Sequence, residues 1–175
     1  MEPAISLRIV LDIALAMLLG GIIGFEREMK LRPAGFRTHM LVAGASALIV
    51  GIGQLVASDA RFEGIQGSKA DPLRLVEAVV AGVSFIGAGT IFASRHATGI
   101  SGITTAASLL IVAATGLAVG FGYYAVACGT TLLALLVLTL LQWFDRRAQR
   151  AAEPGPESAA TDADSAGHKD EGTQE

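Results

Sequence analysis

The sequence predicts an all-α polytopic membrane protein, a bundle of five transmembrane helices. Three observations carry that prediction. Apolar runs of about 18 or more residues recur along the 175-residue chain with few charges inside them. Hydrophobic residues make up 52% of the chain and charged residues only 17%, where a soluble domain carries roughly 25% charged residues. The charge that is present gathers between the runs and after the last one. In lipid, each backbone N–H and C=O must be paired within its own segment, so the runs are expected as helices and not as open strands.

The first run covers roughly 5–25 and ends abruptly in Glu26-Arg27-Glu28. Asp12, Ala16, Gly20 and Gly24 recur at four-residue steps on one face, where small side chains let another helix approach closely. A cleaved signal peptide is disfavoured. Ala14-Leu15-Ala16 lies inside the apolar stretch, not after it, and the N-terminal region carries only Arg8 beside Glu2. A basic loop leads to the second run, about 39–57, where Ala43, Ala47 and Gly51 repeat the four-residue step. The third run, about 73–93, is crowded with Ala78, Gly82, Gly87 and Gly89. Close packing accounts for these glycines, although Gly87-Ala88-Gly89 also suits a local break or a closely approaching ligand. The fourth run, about 103–121, opens after Gly99 and Gly102, and the fifth spans about 123–144. Cys128, in the fifth run, is the single cysteine, so an intrachain disulfide and a thiolate metal cluster are both excluded. These runs make one membrane domain, 1–144. Residues 145–175 start with Arg146, Arg147 and Arg150, then turn acidic around Pro154 and Pro156. They have no apolar face to bury and are expected to be a disordered cytoplasmic tail. Most of the net charge of −3 lies there.

Loop charge orients the domain. Arg27, Lys30, Arg32, Arg37, Arg95 and the arginines after 144 share one side of a five-span chain. That side is expected to be cytoplasmic, with the N-terminus outside and the C-terminus inside.

Polar residues within or beside the spans need a reason, because burying charge in lipid costs at least about 2.5–3.5 kcal/mol at the centre of the bilayer. An outer polar cluster comprises Arg8, Asp12, Arg74 and Glu77. Arg8 and Asp12 are four residues apart and can pair; pairing and snorkelling to the interface is one reading, an outward-facing vestibule the other. An inner polar cluster comprises Glu26, Arg27, Arg37, Thr38, His39, Arg95, Thr104, Thr105 and Ser108. Two tight turns are expected to meet there, with Gly24, Gly87, Gly89 and Gly102 allowing the close approach. Glu26 is expected to accept bonds from Arg37 or Arg95, and Glu28 to lie in solvent. The start of the fourth run would present its positive dipole end here, suited to an anion or a carboxylate, or simply capped by Ser101 or Thr104. The chain carries no P-loop, nucleophile elbow, zinc-protease motif or dinucleotide fingerprint. His39, His96 and His168 form no shared constellation.

These blocks resemble the MgtC/SapB family of bacterial inner-membrane proteins. The likeness lies in Gly21-Ile22-Ile23-Gly24-Phe25-Glu26-Arg27-Glu28, in Pro33 to Val42, in Asp71-Pro72-Leu73-Arg74, in Gly82 to Ile91, and in Gly102 to Ser108. The resemblance implies a five-helix membrane domain with its N-terminus outside. It also implies a role in adaptation to low magnesium, acid stress or survival inside host cells, through regulation or through magnesium transport. Some similar proteins act on the F-type ATP synthase, which makes that complex a candidate partner. Virulence-associated members carry a folded cytoplasmic C-terminal domain where this chain has a short acidic tail, which points to a shorter SapB-like branch. Asp12 and Glu77 match none of the family blocks.

Two functions are therefore expected to compete. The first is a non-enzymatic regulatory or interaction protein that binds other membrane proteins in the bilayer, or a second copy of itself, with no cofactor and no nucleic acid. The second is a transporter or channel for Mg²⁺ or another small ion. Mg²⁺ keeps several waters and takes one or two carboxylates, so Asp12, Glu26 and Glu77 would be the ligands to test. A water-lined path between the two polar clusters would favour the second.

Overall fold

A computed structural model describes residues 3–59, 61, 71–93 and 102–152. The described residues form five helices and no strand: α1 (Pro3–Met29), α2 (Phe36–Ser58), α3 (Pro72–Ala93), α4 (Ile103–Gly120) and α5 (Tyr124–Ala152). Helices α1 to α4 are long and apolar enough to cross a membrane, and in α5 the apolar part runs over Tyr124–Leu140.

The charged string Glu26-Arg27-Glu28 does not end α1, because Glu and Arg are good helix formers. The helix runs on to Met29 and stops where Leu31 takes a left-handed conformation (φ 52°), two residues ahead of Pro33. The amides of Leu31 and Arg32 turn back onto the Glu28 and Arg27 carbonyls. Helix α2 starts at Phe36, and the Phe36 N–H donates to Glu28 Oε2 at 2.8 Å. Glu28 is exposed, as expected, yet it ties the end of α1 to the start of α2. Beyond α2, the Arg61 guanidinium donates to the half-buried Asp59 carboxylate and holds the pKa of that carboxyl down at about 2. Gly102 enters α4 at φ 93°, a conformation glycine adopts without strain.

Helices α1, α2 and α4 pack on one another, and α3 lies mainly against α4. Small residues set how closely the three meet. A Cβ on Gly116 would stand 2.2 Å from the Ala43 carbonyl oxygen, and one on Gly20 would stand 2.7 Å from both Ala43 Cβ and the His39 carbonyl. One on Gly24 would stand 2.8 Å from His39 Cβ. Ala16, Ile23, Ala43, Val50, Leu109 and Val112 fill the middle of this core.

The glycine-packing expectation needs correction for α3. Gly87 faces Ala106, with Cβ contact at 3.3 Å, but a Cβ on Gly82 or Gly89 would meet nothing within 4 Å. The reason is position: α3 buries Val79 and Val83 against its neighbours and turns the Gly82/Gly89 face away. Gly87-Ala88-Gly89 remains helical, so it makes no break.

The chain divides into two compact units, 1–136 and 137–175. The division falls inside α5, ahead of the expected domain end at 144. The second unit is helical as far as Ala152. Of the tail expected to be disordered, 145–175, residues 145–152 instead continue α5, and the rest, from 153, lies outside the described residues, as do Arg95, His96, Gly99 and Ser101.

Candidate functional site

The polar site nearest to chemistry is built where α1 ends and where α2 and α4 begin. On α1, Ala16, Gly20, Ile23 and Arg27 follow one another at helical spacing on the buried face, so the helix that buries Ile23 carries Arg27 inward too. Arg27 has no exposed surface at all. Its Nη2 donates to Thr105 Oγ1 of α4 at 3.3 Å, while among the described residues Nε and Nη1 have no hydrogen-bond partner. A guanidinium stays protonated in proteins, so a full positive charge sits inside the protein with donors unmatched.

Glu26 stands beside it and is 9% exposed. Of the two expected arginine partners, Arg37 is corrected: Glu26 Oε1 accepts from Lys30, one turn along the same helix, and among the described residues Oε2 has no partner. Arg37 is exposed, because the face of α2 that buries His39, Ala43 and Ala47 turns Arg37 outward. Thr38 is half-buried and Thr104 exposed. Arg95, the other partner considered, lies outside the described residues.

His39 is fully buried. Its Nδ1 lies 2.9 Å from the Gly35 carbonyl oxygen, which can only accept, so Nδ1 carries a hydrogen. Its Nε2 lies 3.1 Å from Ser108 Oγ, and that hydroxyl also reaches the Thr105 carbonyl at 2.7 Å. Thr105 and Ser108 are one turn apart on α4, one receiving α1 through Arg27 and the other receiving α2 through His39.

At the opposite end of α1, Asp12 is 9% exposed. It accepts from the Tyr124 hydroxyl at 2.8 Å and lies 3.9 Å from the Arg8 guanidinium. Tyr124 escaped the sequence reading, since it lies 112 residues away and nothing local marks it. Arg74 and Glu77 are exposed on α3, and among the described residues neither joins Asp12 in an ion pair. The expected four-residue outer cluster is therefore corrected to Arg8, Asp12 and Tyr124.

Between the two ends the core is apolar. The hydroxyls of Ser46 and Thr115 bond to carbonyls of their own helices, Val42 at 2.8 Å and Ile111 at 2.9 Å. Asp12 and Glu26 are 14 positions apart on one helix, about 21 Å along its axis. Among the described residues no three His, Cys, Asp or Glu side chains gather as a metal site, and Asp12 and Glu26 stand at opposite ends of α1.

Sequence comparison decides the lineage. The MgtC family model matches residues 13–147, most of the chain and all of the helices just described except the ends. The chain belongs to the MgtC family. It is 36% identical over 141 residues to Protein SapB of Bacillus subtilis, covering 79% of this chain and 59% of SapB. It is 37% identical over 129 residues to the putative magnesium transporter YhiD of Escherichia coli K12, covering 74% of this chain and 58% of YhiD. It is 38% identical over 127 residues to Protein MgtC of Brucella abortus, covering 73% of this chain and 48% of that protein. This MgtC-family chain thus spans between about half and three fifths of the length of these relatives. No solved structure matches it. Family and helices together make it a multi-pass membrane protein.

Proposed function

We propose that this MgtC-family chain is a non-enzymatic regulatory or interaction protein of the bacterial inner membrane, acting in adaptation to low magnesium, acid or related stress. One observation carries the reading. The two polar ends of the α1–α2–α4 core are separated by a close-packed apolar layer whose buried hydroxyls are bonded within their own helices. Among the described residues, a single copy packed in this way offers an ion no polar route between Asp12 and Arg27. Contact with other membrane proteins is the activity such a bundle supports, and α3, with Phe85 84% exposed beside Gly82 and Gly89, offers one face for it. The orientation belongs to the same proposal: N-terminus outside, C-terminus inside, on the strength of the basic loop around Arg32 and Arg37.

Purified full-length protein in liposomes, loaded with a Mg²⁺-sensitive dye, tests the reading. The expected result is Mg²⁺ entry no faster than in empty liposomes. Protein-dependent entry would instead assign this chain the transport role that the name of YhiD carries. Reporter fusions at residues 60 and 150 test the orientation, and a cytoplasmic signal at 60 would reverse it.

A further inference from the structure

From the structure we infer that Arg27 and the first turn of α4 form a binding site for a phosphate group. Arg27 has no exposed surface, yet among the described residues only Nη2 of its guanidinium is matched, by Thr105 Oγ1 at 3.3 Å. Nε and Nη1 have no partner among the described residues. A guanidinium carries five N–H donors in a rigid planar fork, so four remain, among them one complete two-donor edge. That fork matches the oxygens of a phosphate.

The matched bond places the guanidinium on the first turn of α4. Gly102 enters the helix in the left-handed conformation, and the first bond of the ladder runs from the Ala106 N–H to the Gly102 carbonyl. The amides of Ile103, Thr104 and Thr105 therefore lie ahead of the ladder, at the positive end of the helix dipole. Ile103 and Thr104 are exposed, which leaves the approach open from this end of the helix.

Charge points the same way. Glu26 is the nearest anion, but its Oε1 is taken by Lys30. Arg27 and Lys30 against Glu26 leave one positive charge in excess. Donors arriving from two helices, a planar fork from α1 and a turn of amides from α4, surround a tetrahedral group better than a flat carboxylate.

The phosphate has two possible sources, inorganic phosphate or the headgroup of an anionic phospholipid, and two measurements on the full chain separate them. In the first, delipidated protein in dodecyl maltoside is titrated with radiolabelled inorganic phosphate by equilibrium dialysis. In the second, protein extracted mildly from membranes is weighed by native mass spectrometry for retained phospholipid. Saturable uptake in the first assigns the site to free phosphate, and a retained anionic phospholipid without such uptake assigns it to a headgroup. Binding in neither overturns the inference. Arg27→Gln is expected to weaken the binding at least about tenfold, and unchanged binding in a folded Arg27→Gln protein overturns it. Should that variant not fold, Glu26→Gln decides. Removing the competing carboxylate is expected to tighten binding about threefold or more, and equal or weaker binding overturns the site.

Discussion

Helices α3 and α4 are neighbours of similar apolar character and are used in opposite ways. Helix α4 is enclosed: Leu109, Val112 and Val119 have no exposed surface, and Gly116 lies directly on the α2 backbone. Helix α3 buries Val79, Val83 and Gly87 on one side and leaves Phe85 and Phe92 largely exposed on the other. Apolar content is satisfied equally well by lipid and by protein, so it cannot say which helix is central. Small and polar side chains can, because they associate helices where hydrophobicity does not. On α4 those side chains, Thr105, Ser108 and Gly116, each meet another helix. On α3, a Cβ on Gly82 or Gly89 would meet nothing within 4 Å among the described residues.

The contrast can be broken by substitution. Gly116→Val should have the largest effect, since its first added carbon would stand 2.2 Å from backbone that cannot move aside alone. The expected loss is about 3 kcal/mol or more, read as a fall in the unfolding midpoint in an SDS titration. His39→Ala should cost about 2 kcal/mol in the same titration, because it strips α2 of its bond to Ser108. A variant as stable as the parent would mean that Ser108 is served from elsewhere. Tyr124→Phe should cost about 1 kcal/mol, since Asp12 keeps only the exposed Arg8 at 3.9 Å. Gly82→Ala and Gly89→Ala should change stability by no more than about 0.5 kcal/mol. If either proves as damaging as the corresponding change at Gly20, the outward face of α3 is covered and the contrast with α4 fails.

Much of the fold was legible. Five apolar runs gave five helices, with starts and stops near the expected positions for α2, α3 and α4. The ends of α1 and α5 ran further than the apolar pattern, because hydropathy reports where lipid ends and not where a helix does. The site was legible only in part. Arg27 carried a usable signal: it continues the Ala16, Gly20, Ile23 face, which separates it from Arg32 and Arg37 in the same basic stretch. Lys30 was equally available as the i+4 partner of Glu26, and the arginines drew attention only through their stronger bidentate geometry. Tyr124 and the outward turn of Gly82 and Gly89 were not legible, since both depend on how distant helices are placed and not on spacing within one.

The bond from Arg27 to Thr105 spans 78 residues of sequence, and it has a consequence for how the chain is made. At about 5–20 residues per second, a ribosome needs roughly 4 to 16 s to deliver the second residue after the first. The first two helices, already joined through Glu28 and Phe36, must reach the bilayer before that hydroxyl exists. Until α4 arrives, the arginine has to wait at the water-facing edge of the translocon. Completion of the core is therefore a late event in biogenesis, and a nascent chain arrested before residue 105 should hold its first hairpin shallower in the membrane than the finished protein does.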